Sequence, residues 1–545
     1  MIQHIKKHWN LVALVVIVLV AAVLRLYHLG SLPNSLYIDE VAIAVDAASI
    51  AQTGKDMHGG PWFTAIFPSY GDYKLPVYIW FTAVSEKIFG QTDFAVRLPS
   101  AIAGVLTVVI VYALALELFE HESRKKFIAL CSATAVAIMP WSILFSRTGF
   151  EAHVGQVVFL TSVYAALRAK NASWMYFVSA AVGAFAVYTY YSVRFVFPVV
   201  FVLIFLLQMK KKVWKRSACW MVGGLAVFFL LLMPMMQSPL YTQMQFIRLS
   251  TENVLSTTAF IEKANLLRAL TRDNMISHIV FHRTVFMMEE LARHYADFLN
   301  PSYLFLTGDA NLRHSTWQSG IFLLGMAPLF LLGLIALAQK HKKVGIFVFV
   351  WYVAAILPAA VPYDTPHALR SLNALGLMAC IIGLGSSELL LLANKSALWK
   401  LLCLATVVLM ILNFFSFWHD YTVLYPGRSE AAWALSRKTL GEFVQKKKDA
   451  YQTISIIADD RIFLWVAWYG KFDVQTVQAA PSIHFVKQSF GNIQFTSVGR
   501  VSDKEILVTH GQKGMVIGHD NELGRFESIP IVTAPSESFS YVETK

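Results

Sequence analysis

Residues 11–40 read LVALVVIVLVAAVLRLYHLGSLPNSLYIDE. The apolar run Leu11 to Leu24 is preceded by Lys6 and Lys7 and followed by two adjacent carboxylates, Asp39 and Glu40. A basic flank before an apolar helix resembles a signal peptide. No small-residue cleavage site closes the run, so it reads as an uncleaved signal-anchor with its N-terminus in the cytoplasm. That first span covers about 9–29. It delivers Asp39 and Glu40 to the far face of the membrane.

The rest of the composition agrees. The chain has 545 residues, 56% hydrophobic and 15% charged, with mean hydropathy +0.54. Soluble domains carry roughly 25% charged residues. Several apolar runs exceed the ~18 residues of a spanning helix, and barrel strands would alternate instead. Net charge is +12. The basic residues cluster in short loops between apolar runs, as the positive-inside rule requires, so nucleic acid is excluded as a partner and the lipid bilayer is the expected one. Cys131, Cys219, Cys380 and Cys403 all lie in apolar runs and act there as small hydrophobes; they form neither a disulfide framework nor a metal motif.

Topology turns on 76–90, which is apolar but short and interrupted by Glu86 and Lys87. If it crossed, Arg124, Lys125 and Lys126 and the cluster Lys210, Lys211, Lys212, Lys215 and Arg216 would fall on the far side. Lying along the interface, it leaves every basic cluster in the cytoplasm. The remaining spans are then about 98–118, 127–146, 153–169, 174–191, 194–209, 217–236, 319–338, 344–361, 367–392 and 398–418, about eleven in all. Loops 30–97 and 237–318 lie on the far side, the second built of amphipathic helices. A short helix is expected at 39–53, stopped by Gly54. The tail changes character: a helical stretch from Glu430 to Lys447 and β-like runs at Thr453 to Ile457 and Ile506 to Thr509. The expected fold is an all-α polytopic membrane protein with interfacial helices, domain 1–425, followed by a small extracytoplasmic α/β domain at 430–545. Multi-pass insertion in the plasma membrane follows.

This topology puts Asp39, Glu40, Asp72, Lys74, Arg147, Glu151, Asp364, His367 and Arg370 on one face. Charges near a bilayer are costly and mark function, so one shared site is the economical reading. Each has a plainer role to set against it. Asp39 could cap the following helix, and Glu40 could favour its positive end. Lys74 could snorkel, and Arg147 could anchor a span. Arg97 before Pro99 reads as an interfacial anchor. His367 and Arg370, three apart, share one helical face.

Asp39-Glu40 after the first span, Lys74-Leu75-Pro76, Phe89-Gly90, Arg97-Leu98-Pro99-Ser100, Ser146-Arg147-Thr148-Gly149-Phe150-Glu151, Pro301 to Phe305 with Gly308-Asp309, and His367-Ala368-Leu369-Arg370 occur in this order. Over roughly 10–425 the chain resembles the bacterial relatives of the protein O-mannosyltransferases, glycosyltransferase family 39, within the GT-C superfamily that also contains the lipid A aminoarabinose transferase. The resemblance implies a GT-C fold and a sugar donor carried on polyprenyl or dolichyl phosphate. It implies hexosyl or pentosyl transfer on the extracytoplasmic face to a hydroxyl or amine of a protein, lipid or glycan. One departure is plain. Relatives often place an acidic residue directly before the lysine and two prolines after it. Here Tyr73 precedes Lys74, and Asp72 stands one position early.

Glycosyl transfer needs a base for the acceptor and stabilisation of a phosphate leaving group, and it passes through an oxocarbenium-like state. Asp39 is the expected base. Glu40 and Glu151 orient acceptor or sugar. Lys74, His367, Arg370 and Arg147 bind the donor phosphate. Asp39, Glu151 and Asp72 are the candidate oxygen ligands of a divalent metal ion. Direct displacement with inversion is expected. The rival is a polytopic transporter or lipid flippase, but such proteins carry broken helices and charges near the midplane, and here the charges gather at one face.

Overall fold

The computed structural model describes residues 2–209, 214–250, 253–254, 258–271, 274–459, 461–497, 514–519, 523, 528–532 and 537–544. The basic residues 210–212 and the strand expected at 506–509 lie outside the described residues. The chain divides into two compact units. The first comprises Met1–Arg25, Ile102–Ser146 and Ala152–Tyr421; the second comprises Leu26–Ala101, Arg147–Glu151 and Thr422–Lys545.

Helices occupy each of the eleven apolar stretches. Among the described residues, six are long and apolar enough to cross a membrane alone: Trp9–Leu26, Asp93–Leu118, Trp214–Met236, Lys342–Ala360, Leu372–Ala393 and Ala397–Arg428. Lys125–Ile138 and Pro140–Ser146 qualify together but are bent by 55°. Met175–Val187, Val193–Gln208 and Leu324–Gln339 are apolar and shorter. The chain is a multi-pass membrane protein. Pro76–Phe89 has 14 residues, about 21 Å of helix, short of the ~30 Å hydrocarbon core.

In the first unit, Leu375–Ala393 packs between Ala327–Gln339 and Lys125–Ile138. Glycines set those distances. A Cβ on Gly385 would stand 1.7 Å from the Leu329 carbonyl oxygen, and one on Gly333 would stand 2.1 Å from that of Ile381. Without a hydrophobic force between helices in lipid, such close backbone contact is what holds them together.

The bend at Pro140 has a specific remedy. Pro140 has no N–H to return to the Val136 carbonyl, and the Trp141 N–H goes to Ile321 O at 3.1 Å instead of to Ala137. Arg25, fully buried at the end of the first helix, donates to Val136 O at 3.0 Å, Ala137 O at 3.2 Å and Ser142 Oγ at 2.7 Å. Gly104 leaves it room: a Cβ there would lie 2.6 Å from Arg25 Nε.

The second unit holds the helix Ile38–Thr53, closed by left-handed Gly54 at φ +72°, and a hairpin pairing Phe67–Pro68 with Tyr73–Lys74. Its tail forms a six-stranded mixed sheet in the order Ser489–Phe490, Ile493–Ser497, Thr453–Ala458, Gly514–His519, Phe539–Thr544, Ile529–Val532. Thr453–Ala458 is parallel to both its neighbours, and the other pairings are antiparallel. Leu435–Lys447 and Phe463–Tyr469 pack with this sheet. Leu440, Trp465 and Trp468 share one apolar core with Val41, Ala44, Val45 and Ala48 of Ile38–Thr53. That helix is buried on nearly all sides, which explains its apolar character throughout. The tail thus folds onto the segment that carries Asp39.

Candidate active site

Asp39 does not cap its helix. The N-cap is Tyr37, and the Tyr37 N–H donates to Glu40 Oε2 at 3.0 Å. The Asp39 carboxylate is 32% exposed. It accepts from the Tyr70 hydroxyl at 2.6 Å and from Lys74 Nζ. Both partners come from the hairpin. Its turn runs through left-handed Gly71, φ +85°, and the Ser69 N–H donates to Asp72 O at 2.8 Å, which turns Tyr70 and Lys74 to the same side. Lys74 is only 7% exposed and also donates to Asp72 Oδ2 at 3.2 Å. Asp72 therefore reaches the lysine although it stands one position early. Burial works against the Lys74 charge, but Asp39, Tyr70, Asp72 and Glu151 more than offset it and hold its pKa above the ordinary lysine range.

Three sequence expectations change here. Glu40, expected to orient acceptor or sugar, is fully buried. Its carboxylate accepts from Arg97 Nε at 3.0 Å, Arg97 Nη2 at 3.3 Å, Gly149 N at 2.5 Å and Tyr37 N, so it has no surface for a substrate. Arg147, expected on the phosphate, is also fully buried; its Nη2 donates to Tyr27 O at 2.7 Å and Leu32 O at 3.3 Å, which commits it to the loop backbone. Arg97, expected as an interfacial anchor, is wholly enclosed and also takes the carbonyls of Pro33 and Ser35 at 2.6 Å each. A divalent ion bridging Asp39 and Asp72 would have to stand where the Lys74 ammonium stands.

Glu40 instead ties its helix to two other segments, through Arg97 and Gly149. It is the neighbour of Asp39 and it grips Gly149, two residues before Glu151. A Cβ on Gly149 would press within 3.1 Å of Glu40 Oε1. Phe150 stacks on Trp433 of the tail, with ring centroids 6.2 Å apart. The tail also holds the approach to Asp39. Trp465 Nε1 donates to Leu36 O at 3.1 Å, and the Leu36 N–H donates to Tyr469 Oη at 3.1 Å.

His367 and Arg370 belong to the first unit. His367 is buried beside His314, with ring centroids 4.6 Å apart. Its pKa is pushed well below the ordinary histidine value by burial, then by His314, Arg370 and Arg313. Arg370 is half-buried, and its Nη1 is enclosed with no hydrogen-bond partner among the described residues. Asp309 Oδ2 accepts from the Ala368 N–H at 2.7 Å and pairs with His314 Nδ1 at 3.0 Å. Among the described residues, Asp309, His314 and His367 form the group with metal-ligand proximity.

Residues 73–237 match the family described as dolichyl-phosphate-mannose-protein mannosyltransferase. Over 140 residues the chain is 27% identical to the undecaprenyl phosphate-alpha-4-amino-4-deoxy-L-arabinose arabinosyl transferase of Pseudomonas savastanoi pv. phaseolicola, covering 24% of this chain and 25% of that one. The crystal structure of ArnT from Cupriavidus metallidurans bound to undecaprenyl phosphate matches 98% of both chains, with 12% identity and a TM-score of 0.56. This chain shares the fold of that structure, and 140 of its residues are similar in sequence to an aminoarabinose transferase. The archaeal oligosaccharyltransferase AglB from Archaeoglobus fulgidus, solved with an inhibitory peptide and a dolichol-phosphate, matches over 86% of this chain and 64% of its own, with 14% identity and a TM-score of 0.51. The sequence match spans a quarter of the curated relative's length.

The second unit brings Asp39, Asp72 and Lys74 into direct contact, with Glu151 close enough to act on the Lys74 charge. Sequence reasoning missed Tyr70 and His314. Asp309 and His314 at five-residue spacing, with a second imidazole at His367, were the available signal for the second of these. Tyr70 carried none.

Proposed function

We propose that the chain transfers a hexosyl or pentosyl group from a polyprenyl-phosphate donor to an acceptor hydroxyl or amine, on the extracytoplasmic face, by direct displacement with inversion. Asp39 takes the acceptor proton. The acceptor atom forms its bond to the anomeric carbon as the bond from that carbon to the phosphate oxygen breaks, and polyprenyl phosphate leaves. Glu151 orients acceptor or sugar. Lys74 fixes Asp39 and keeps a positive charge beside it. Arg370 binds the donor phosphate, with His367 as a neutral hydrogen-bond partner.

The observation that carries this reading is the Asp39 carboxylate, partly exposed yet held by Tyr70 and a buried lysine. A carboxylate held in orientation while about a third of its surface stays exposed is what a general base requires. For Arg370, the support is an enclosed N–H with no partner, which a phosphate oxygen satisfies through a charge-assisted bond. The eleven-span topology belongs to the same proposal. It puts the N-terminus in the cytoplasm and the 430–545 tail on the outer side of the plasma membrane, and its support is the basic loops at Arg124–Lys126 and at Lys215 and Arg216.

The test is transfer of labelled sugar from polyprenyl phosphate by the full chain in detergent, with the anomeric configuration of donor and product compared by NMR. Wild-type rates with Asp39→Asn would remove the base, and retention of configuration would remove the single displacement.

A further inference from the structure

Asp309, His314 and His367 are all buried, and the ligand atoms they offer lie within 4.8 Å of one another. Two come from the loop after Ser302–Leu306 and the third from the turn before Leu372–Ala374. One carboxylate oxygen and two imidazole nitrogens form the donor set of a borderline divalent ion such as Zn2+, with a fourth position for water or a further carboxylate. Such a carboxylate is near: Asp364 Oδ2 is 3.6 Å from His367 Nε2. Zinc bonds of about 2.0–2.2 Å place neighbouring ligand atoms about 3.3–3.6 Å apart, so the loop must close by roughly an ångström.

The surrounding hydrogen bonds orient these ligands, as outer partners do in metal centres. Asp309 Oδ1 accepts from Asn311 N at 2.8 Å and Oδ2 from Ala368 N at 2.7 Å. His367 Nδ1 accepts from Arg370 N at 3.3 Å, which directs Nε2 away from the backbone of its turn. A hydrogen-bonded Asp309–His314 pair needs one imidazole. The second, buried against the first, gains its use from a shared cation.

We propose that Asp309, His314 and His367 bind one divalent transition-metal ion of the zinc class, which clamps the 309–314 loop to the turn carrying Arg370. The metal site does not need the transferase reading, and where the ion is bound it takes His367 Nε2 and leaves the donor phosphate to Arg370. Its effect on donor binding, through the position of Arg370, rests on that reading.

The experiment uses the full chain purified without a polyhistidine tag, stripped with chelator, reloaded with zinc chloride and washed. Elemental analysis should give about one zinc per chain, and Asp309→Asn and His314→Ala should each lose most of it. Cobalt loading of the wild type should give the intense visible band of a four-coordinate site. This second measurement applies if the variants do not fold. Zinc well below stoichiometry in the wild type, unchanged zinc in both variants, or no cobalt band would overturn the site. Separately, a stripped enzyme that transfers sugar with an unchanged donor KM would overturn the clamp on Arg370 while leaving the transferase reading in place. Bound zinc in a chain with no transfer activity would support the site and sink the transferase reading alone.

Discussion

The guanidinium of Arg97 meets the carboxylate of Glu40 through Nε at 3.0 Å and Nη2 at 3.3 Å, and neither side chain is exposed. Removing one partner of a buried, hydrogen-bonded ion pair costs about 3–5 kcal/mol. Arg97→Ala should therefore lower the melting temperature sharply in detergent and abolish transfer with it. Glu40→Gln keeps acceptor capacity for Gly149 N and should melt nearer wild type. A normal melting temperature for Arg97→Ala would contradict the enclosed pair.

Asp39→Asn should reduce transfer by about 10²–10⁴-fold with little change in melting temperature, because asparagine still accepts from Tyr70. Initial rates with labelled donor measure the first effect and thermal unfolding the second. A variant that loses both together would make Asp39 a structural residue.

Arg370→Ala should weaken donor binding by about 10–100-fold, the worth of a charge-assisted hydrogen bond of roughly 1.5–3 kcal/mol. Arg370→Lys should recover part of this, since it restores charge without the planar fork. Binding of polyprenyl phosphate, measured without turnover, is the readout; equal affinity for all three proteins would remove Arg370 from the phosphate site.

Asp46 lies fully buried in Ile38–Thr53. Burial pushes its pKa well up, against the pull of the Met57 N–H that donates to Oδ1 at 3.0 Å. A carboxyl whose folded pKa exceeds its unfolded value stabilises fully only below the unfolded value, about 3.9. That contribution is lost as pH rises through the folded pKa. Asp46→Asn escapes the loss. Its melting temperature relative to wild type should rise from pH 4 to pH 8, and a gap independent of pH would exclude the effect.

Tyr469→Phe should cost about 1–3 kcal/mol. It removes the hydroxyl that accepts from Leu36 N at 3.1 Å and donates to Asp93 Oδ2 at 3.0 Å, and it leaves a buried amide unpaired three residues before Asp39. Both melting temperature and transfer rate should fall. A loss of stability with an unaltered rate would mean that the tail supports the fold and not the base.

Hydropathy made the helices legible, since the eleven apolar runs and the Gly54 stop need only local information. The contact between Asp39 and Lys74 was not legible: the lysine read as a phosphate ligand, and it is held instead by Asp39 and Asp72. Which of two adjacent carboxylates faces water was not legible. Glu40 turns inward because it reaches back to the Tyr37 N–H, and its cation, Arg97, is 57 positions away. Arg97 resembled a membrane-edge anchor for the same reason. The Asp309–Ala368 contact spans 59 positions and left no periodic trace. The tail read as separate because its composition changes, whereas its tryptophans and leucines complete a core begun by Ile38–Thr53.

Arg25 ties the first helix to the kink at Pro140 through three acceptors. The opening segment is therefore a plug as well as an anchor. Removing residues 1–25 would strip the Val136 and Ala137 carbonyls of the guanidinium that satisfies them, and an unpaired carbonyl within a membrane span is costly. Replacing that segment with a generic secretion leader would restore insertion without restoring the seal, so fusion proteins built this way should reach the bilayer and still misfold around residues 136–142.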